Sequence, residues 1–142
     1  MQININYPAI FVSVLLNFLL GFVWYTPLFG KIWAREMGMS AGDNPDKSLM
    51  IRGMVFMLIG NFLFAWVLAH NIAAWEFVPG AKEMGPVRSA LSSAIFTWLG
   101  FYFPVDLGST SWEKKSWTLF GINTGYHLAS LLLVAFLLTH WK

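Results

Sequence analysis

The chain of 142 residues is 57% hydrophobic and only 11% charged, with a mean hydropathy of +0.59. Soluble domains carry about 25% charged residues, so nine Lys and Arg with seven Asp and Glu cannot coat a soluble globule of this size. The absence of cysteine excludes disulfides, thiolate metal sites and Cys nucleophiles, and a net charge of +2 with no basic run excludes a nucleic-acid-binding surface.

Residues 1–30, 53–75, 89–105 and 116–141 contain no Asp, Glu, Lys or Arg. Each run supplies the about 17–25 apolar residues that cross a hydrocarbon core of about 30 Å. They predict four transmembrane helices over residues 7–26, 51–71, 87–103 and 117–139. The fold class is therefore an all-α integral membrane bundle in one domain, residues 1–142. Barrel strands are disfavoured because the runs are long, Leu/Phe/Ala-rich and not alternating.

Helix one starts at Pro8 and is closed by Pro27. It lacks a positive n-region and a small-residue cleavage site, so it reads as a retained span. In the first loop Leu28, Phe29, Ile32, Trp33 and Met37 recur at helical spacing, with Lys31 and Arg35 on the other side. This predicts a short interfacial helix, an anchor or a docking element for lipid or protein. Trp24 and Tyr25 are placed at headgroup level, Lys31 snorkels beside Trp33, and Arg35 is a second headgroup contact. Asn44-Pro45-Asp46 reads as the cap of helix two. Pro86 opens helix three and Pro104 closes it. Gly108-Ser109-Thr110-Ser111 reads as a turn, and Thr110-Ser111-Trp112-Glu113 as a capping box before helix four. Four spans put six Lys and Arg (Lys31, Arg35, Lys47, Arg52, Lys114, Lys115) on the face of loops one and three, against three (Lys82, Arg88, Lys142) opposite. The positive-inside rule then places loops one and three in the cytoplasm and both termini outside.

Every helix carries a polar residue near its middle: Asn17, Asn61, Thr97 and His127, with Asn123 one turn before His127. Two roles compete for this layer, interhelical hydrogen bonding and a small polar cavity for a ligand, water or proton. Asp106 and Glu113 fall in loop three, with His127 about three turns away, so the layer is expected to hold no carboxylate. Ser92, Ser93 and Thr97 then lack a carboxylate-oriented base, and no catalytic residue is assigned. His70 and His140 sit near helix ends as polar caps, and no spacing supports a metal, haem or other cofactor. Gly121, Gly125 and Ala129 form a small-residue stripe on the opposite side of helix four, suited to close helix packing within the chain or between protomers.

The run Gly21-Phe22-Val23-Trp24-Tyr25-Thr26-Pro27-Leu28-Phe29-Gly30-Lys31-Ile32-Trp33, with Leu68-Ala69-His70 and Phe120-Gly121-Ile122-Asn123-Thr124-Gly125-Tyr126, resembles an uncharacterised family of small bacterial membrane proteins, domain of unknown function 1761. The resemblance implies four spans and a bacterial cytoplasmic membrane, and no activity. The expected function is a non-enzymatic accessory or interaction subunit, oligomeric, with membrane lipids, itself or another membrane protein as partners. The alternative is solute binding or permeation through the polar layer. A membrane-embedded enzyme or haem protein is a distant third.

Overall fold

The computed structural model describes residues 3–40, 42 and 46–142, and among them every regular element is helical. Helix α1 covers Tyr7–Val23, capped by the Asn6 side chain accepting from the Ala9 N–H at 3.0 Å. It runs directly into a π-helical turn, Trp24–Leu28, that contains Pro27. Helix α2, Gly30–Glu36, is the predicted interfacial segment. Helix α3 spans Lys47–Trp75, and its cap is Asp46, which accepts from the Ser48 N–H; Asn44 and Pro45 lie outside the described residues. A short 3-10 turn, Lys82–Met84, leads into α4, Gly85–Thr97. A second π-helical turn, Trp98–Tyr102, joins α4 to α5, Phe103–Ser111. Helix α6 covers Trp117–His140. Four helical stretches are thus long and apolar enough to cross a membrane: Tyr7–Leu28, Lys47–Trp75, Lys82–Ser111 and Trp117–His140.

Two sequence expectations are corrected by the backbone. Pro27 sits inside the last turn of the first helix, which ends one residue later at Leu28, and Pro104 does not stop its helix. Proline lacks an N–H, and its ring collides with the carbonyl four residues back. A π-helical turn widens the coil at that point, and its bonds reach one residue further, as in Phe29 N–H to Trp24 O at 2.9 Å. Pro104 then occupies the first turn of α5, where a missing N–H costs nothing. Second, Gly108–Ser111 is helical rather than a turn, and the capping box at Thr110 is not formed. Ser116 caps α6 instead, its side chain accepting from Leu119 N–H at 3.1 Å.

Helix α6 is the axis of the bundle, packing against α1, α3, α4 and α5. Its contacts with α1 and α4 use small residues: Ala9, Ala90, Ala94 and Ala135 are fully buried, with Ser13 and Ser130 close to it. Small side chains let helix backbones approach, which is how spans associate where lipid supplies no hydrophobic drive. Large residues such as Phe11, Leu15, Phe56, Phe96 and Phe101 point outward, as a lipid-facing surface requires.

Three polar contacts tie the ends. At the terminal end, Lys142 pairs with Glu76, and Asn6 Nδ2 donates to Trp141 O at 3.3 Å. At the other end, the Ser116 hydroxyl donates to Glu36, joining α2 to the start of α6. That bond, with the neighbouring Arg35, holds the Glu36 carboxyl below its usual pKa. A carboxylate lowered in the folded state adds stability above its ordinary pKa and loses it as pH falls through the lowered one. Protection factors of the α2 amides are therefore expected to hold near neutrality and to fall only once the pH drops through the lowered carboxyl range. Glu36→Gln should remove this pH dependence; an unchanged acid limb in that variant would assign it elsewhere.

Candidate membrane-embedded binding site

The predicted polar layer divides into distinct groups. Asn17 on α1 donates from Nδ2 to Asn61 Oδ1 on α3 at 2.9 Å, and accepts at Oδ1 from the Ser130 hydroxyl on α6 at 2.6 Å. This chain of bonds links three helices, with Asn17 only 2% exposed. Asn123 lies apart from it and accepts from the Tyr25 hydroxyl at 3.0 Å. Thr97 does not join the layer. It faces a mostly apolar groove of about 380 Å³ between α3 and α4, with Ser89, Ser92 and Ser93.

The largest correction concerns charge. Because the helix continues through Pro104, Asp106 belongs to the third span rather than to loop three. Its Oδ2 lies 2.7 Å from Nδ1 of His127. The Asp106 side chain is 13% exposed and that of His127 29%. Asp106 stands about 7 Å along α5 from its end and His127 about 15 Å into α6, so the pair lies in the half of the bundle toward loops one and three. Tyr102 and Tyr126 flank the imidazole, with ring centroids 4.7 and 5.8 Å away. The missed signal is the position of Asp106 after Pro104. A proline in a first turn followed by an acid marks a helix start, where the carboxylate suits the N-terminal dipole.

Asn17, Asn61, Tyr102, Tyr126, His127 and Ser130 line one cavity of about 180 Å³, with Gly60 and Phe64 completing its wall. The space equals about six water volumes. Asn61 is 8% exposed, and its Nδ2 is buried without a hydrogen-bond acceptor. An orphaned buried amide costs about 1–3 kcal/mol, so a bound acceptor would be strongly favoured there. Tyr102, Tyr126 and Ser130 were not singled out from sequence because tyrosines in spans ordinarily signal interfaces. Ser130, the serine on its wall, donates its hydroxyl to Asn17. Among the described residues no cluster of His and acidic side chains could hold a metal ion. His70 and His140 each bond through Nδ1 to the carbonyl four residues back on their own helix, at 2.8 Å.

The interfacial motif also turns inward. Trp24 donates from Nε1 to Ile122 O at 3.0 Å, and Trp98 donates to Thr124 O at 2.9 Å, so indoles from two spans grip the same turn of α6. Tyr25 packs edge-on against Trp33 and Tyr126. Trp24 and Tyr25 thus spend their polar groups within the bundle. Lys31 stays exposed and Arg35 pairs with the adjacent Glu36. The Gly121/Gly125/Ala129 stripe receives no helix backbone from this chain. A Cβ on Gly125 would touch the Trp24 ring at 3.4 Å, while Gly121 opens on empty space. The close approach occurs instead at Gly21, where a Cβ would lie 2.7 Å from Met57 Cε and 3.1 Å from the Tyr126 hydroxyl.

Residues 8–139 match the family described as protein of unknown function (DUF1761). The chain belongs to the DUF1761 family. Among curated proteins it is 27% identical over 92 residues to a tRNA-2-methylthio-N(6)-dimethylallyladenosine synthase from Mycobacterium avium (strain 104). That segment is 63% of this chain and 12% of the relative, so the chain spans about one-eighth of that protein's length. No solved structure matches the chain. The family membership agrees with the resemblance carried by the Trp24–Trp33 region, and the four apolar helices make this DUF1761 member a membrane protein.

Proposed function

We infer that this DUF1761 protein binds a small polar solute in the cavity between its four spans. The observation that supports this best is that Asn61, whose Nδ2 is buried without an acceptor, lines the same space as His127, the partner of Asp106. Interhelical hydrogen bonding alone accounts for Asn17, Asn61 Oδ1 and Ser130. It leaves the Asn61 Nδ2 donor unaccounted for. Ionisable groups within spans are costly and are characteristic of solute and proton pathways. The accessory, oligomeric role draws on less, because Trp24 of the same chain covers Gly125 and only Gly121 remains open. The reading places the protein in a bacterial cytoplasmic membrane with loops one and three inside, supported by the six-to-three Lys/Arg bias. His127 and Asp106 then lie nearer the cytoplasmic face.

The test is thermal unfolding of the detergent-solubilised protein with a panel of short carboxylates, amides and alcohols. A ligand at about 100 times its Kd adds about 2.7 kcal/mol, so at least one class should raise the midpoint by several degrees. Asn61→Leu should lose that response while remaining folded. A wild-type midpoint that no probe moves would reject the binding reading.

A further inference from the structure

The hydrogen-bond inventory of the cavity specifies what it accepts, an inference that rests on the binding reading above. Its amide oxygens are already used: Asn61 Oδ1 accepts from Asn17, and Asn17 Oδ1 accepts from Ser130. The spare capacity is in donors. Asn61 Nδ2 is buried with no acceptor, and the Tyr102 hydroxyl on the same wall makes no hydrogen bond among the described residues. Two residues with spare donors on one wall suit a ligand with two acceptor oxygens.

Charge narrows the choice further. No Lys or Arg lines the cavity, and His127 is the wall residue that can become positive. The charged and titratable groups around its imidazole are Asp106 and Tyr102 from the third span, Tyr126 from its own helix, and Tyr25 through Asn123. The first and second spans bring only the uncharged Asn17 and Asn61 to this space. An anion entering alone would add a charge beside the Asp106 carboxylate in a poorly solvated site, which is costly. An anion entering with one proton on His127 leaves the net charge of the site unchanged. Asp106, held at Nδ1, stabilises the resulting imidazolium and leaves the other ring nitrogen to receive the proton.

We propose that the cavity binds a small carboxylate, its oxygens accepting from Asn61 and Tyr102, together with one proton taken up by His127. The balance is simple: a carboxylic acid enters as its anion on the two donors and its proton on the imidazole, and no covalent bond to carbon changes. The test is isothermal titration calorimetry on the full chain in detergent micelles, in two buffers of different protonation enthalpy. The probes are acetate and propionate, with acetamide and propionamide as uncharged isosteres. Carboxylate binding is expected with uptake of about one proton, and affinity should fall about tenfold per pH unit on the alkaline side. His127→Gln should abolish proton uptake, and Tyr102→Phe, which keeps the ring, should weaken binding about tenfold by removing one donor. Carboxylate binding without proton uptake, or amides binding as tightly as carboxylates, would overturn the proposal while leaving the solute-binding reading intact. Binding by neither series would overturn both.

Discussion

Asp106→Leu is expected to destabilise the solubilised protein by about 1–3 kcal/mol, the cost of leaving a partly buried hydrogen-bonding group without its partner. His127→Leu should cost more, because it strands a carboxylate, and a charge out of water is penalised more heavily than a neutral imidazole. The double variant should recover most of the loss. Replacing both members of a buried pair by apolar groups of similar size is often neutral, whereas breaking the pair is not. Denaturant unfolding of the two single variants and the double variant in micelles gives the coupling energy directly. Strictly additive losses would mean that the 2.7 Å contact between Asp106 and His127 is not an energetic pair. The measurement separates stability from binding, since a leucine pair preserves packing while removing the proton acceptor.

Trp24→Ala is expected to cost about 2–4 kcal/mol, toward the lower part of the range for large-to-small aromatic truncations. The indole fills the space over Gly125, donates to Ile122 O, and packs against Phe29 and Tyr126 with ring centroids 4.9 and 6.2 Å away. Trp24→Phe keeps most of the ring volume and loses the donor, so about 1 kcal/mol should remain lost. This pair of variants distinguishes an internal clasp from a headgroup anchor. An anchor at the bilayer surface would give near-neutral effects in micelles for both. A loss in Trp24→Ala no larger than in Trp24→Phe would remove the clasp over Gly125.

The four spans were legible because charge depletion is a local property of the chain. A run without Asp, Glu, Lys or Arg is costly to leave in water and inexpensive to place in lipid whatever it packs against. On α1, Ser13, Asn17 and Gly21 are four residues apart, a spacing that sets a shared helical face, and all three are buried. The placement of Thr97 and Trp24 was not legible. Their facing depends on how each helix is rotated about its axis, which is fixed by the alanines and glycines of neighbouring spans. The Gly125 stripe reads in sequence as a seat for a helix backbone, and what lies over Gly125 is the ring of Trp24 from α1's continuation.

Asp106 shows the boundary most sharply. Composition places it at the edge of an uncharged run, and a proline two residues earlier argues for a helix end. Whether that proline stops the helix depends on the neighbouring backbone taking a π-helical turn, in which the bond pattern shifts by one residue and the ring clash is relieved. With Trp98 donating to Thr124 O, that turn is docked on α6 and the helix continues. Membrane residence, the number of spans and the scarcity of charge within them follow from the order of residue types alone. The pairing of Asp106 with His127, and the orphaned donor of Asn61 beside it, arise only when four helices are set in register, because a hydrogen bond needs two groups within about 3 Å and no one-dimensional pattern records that distance.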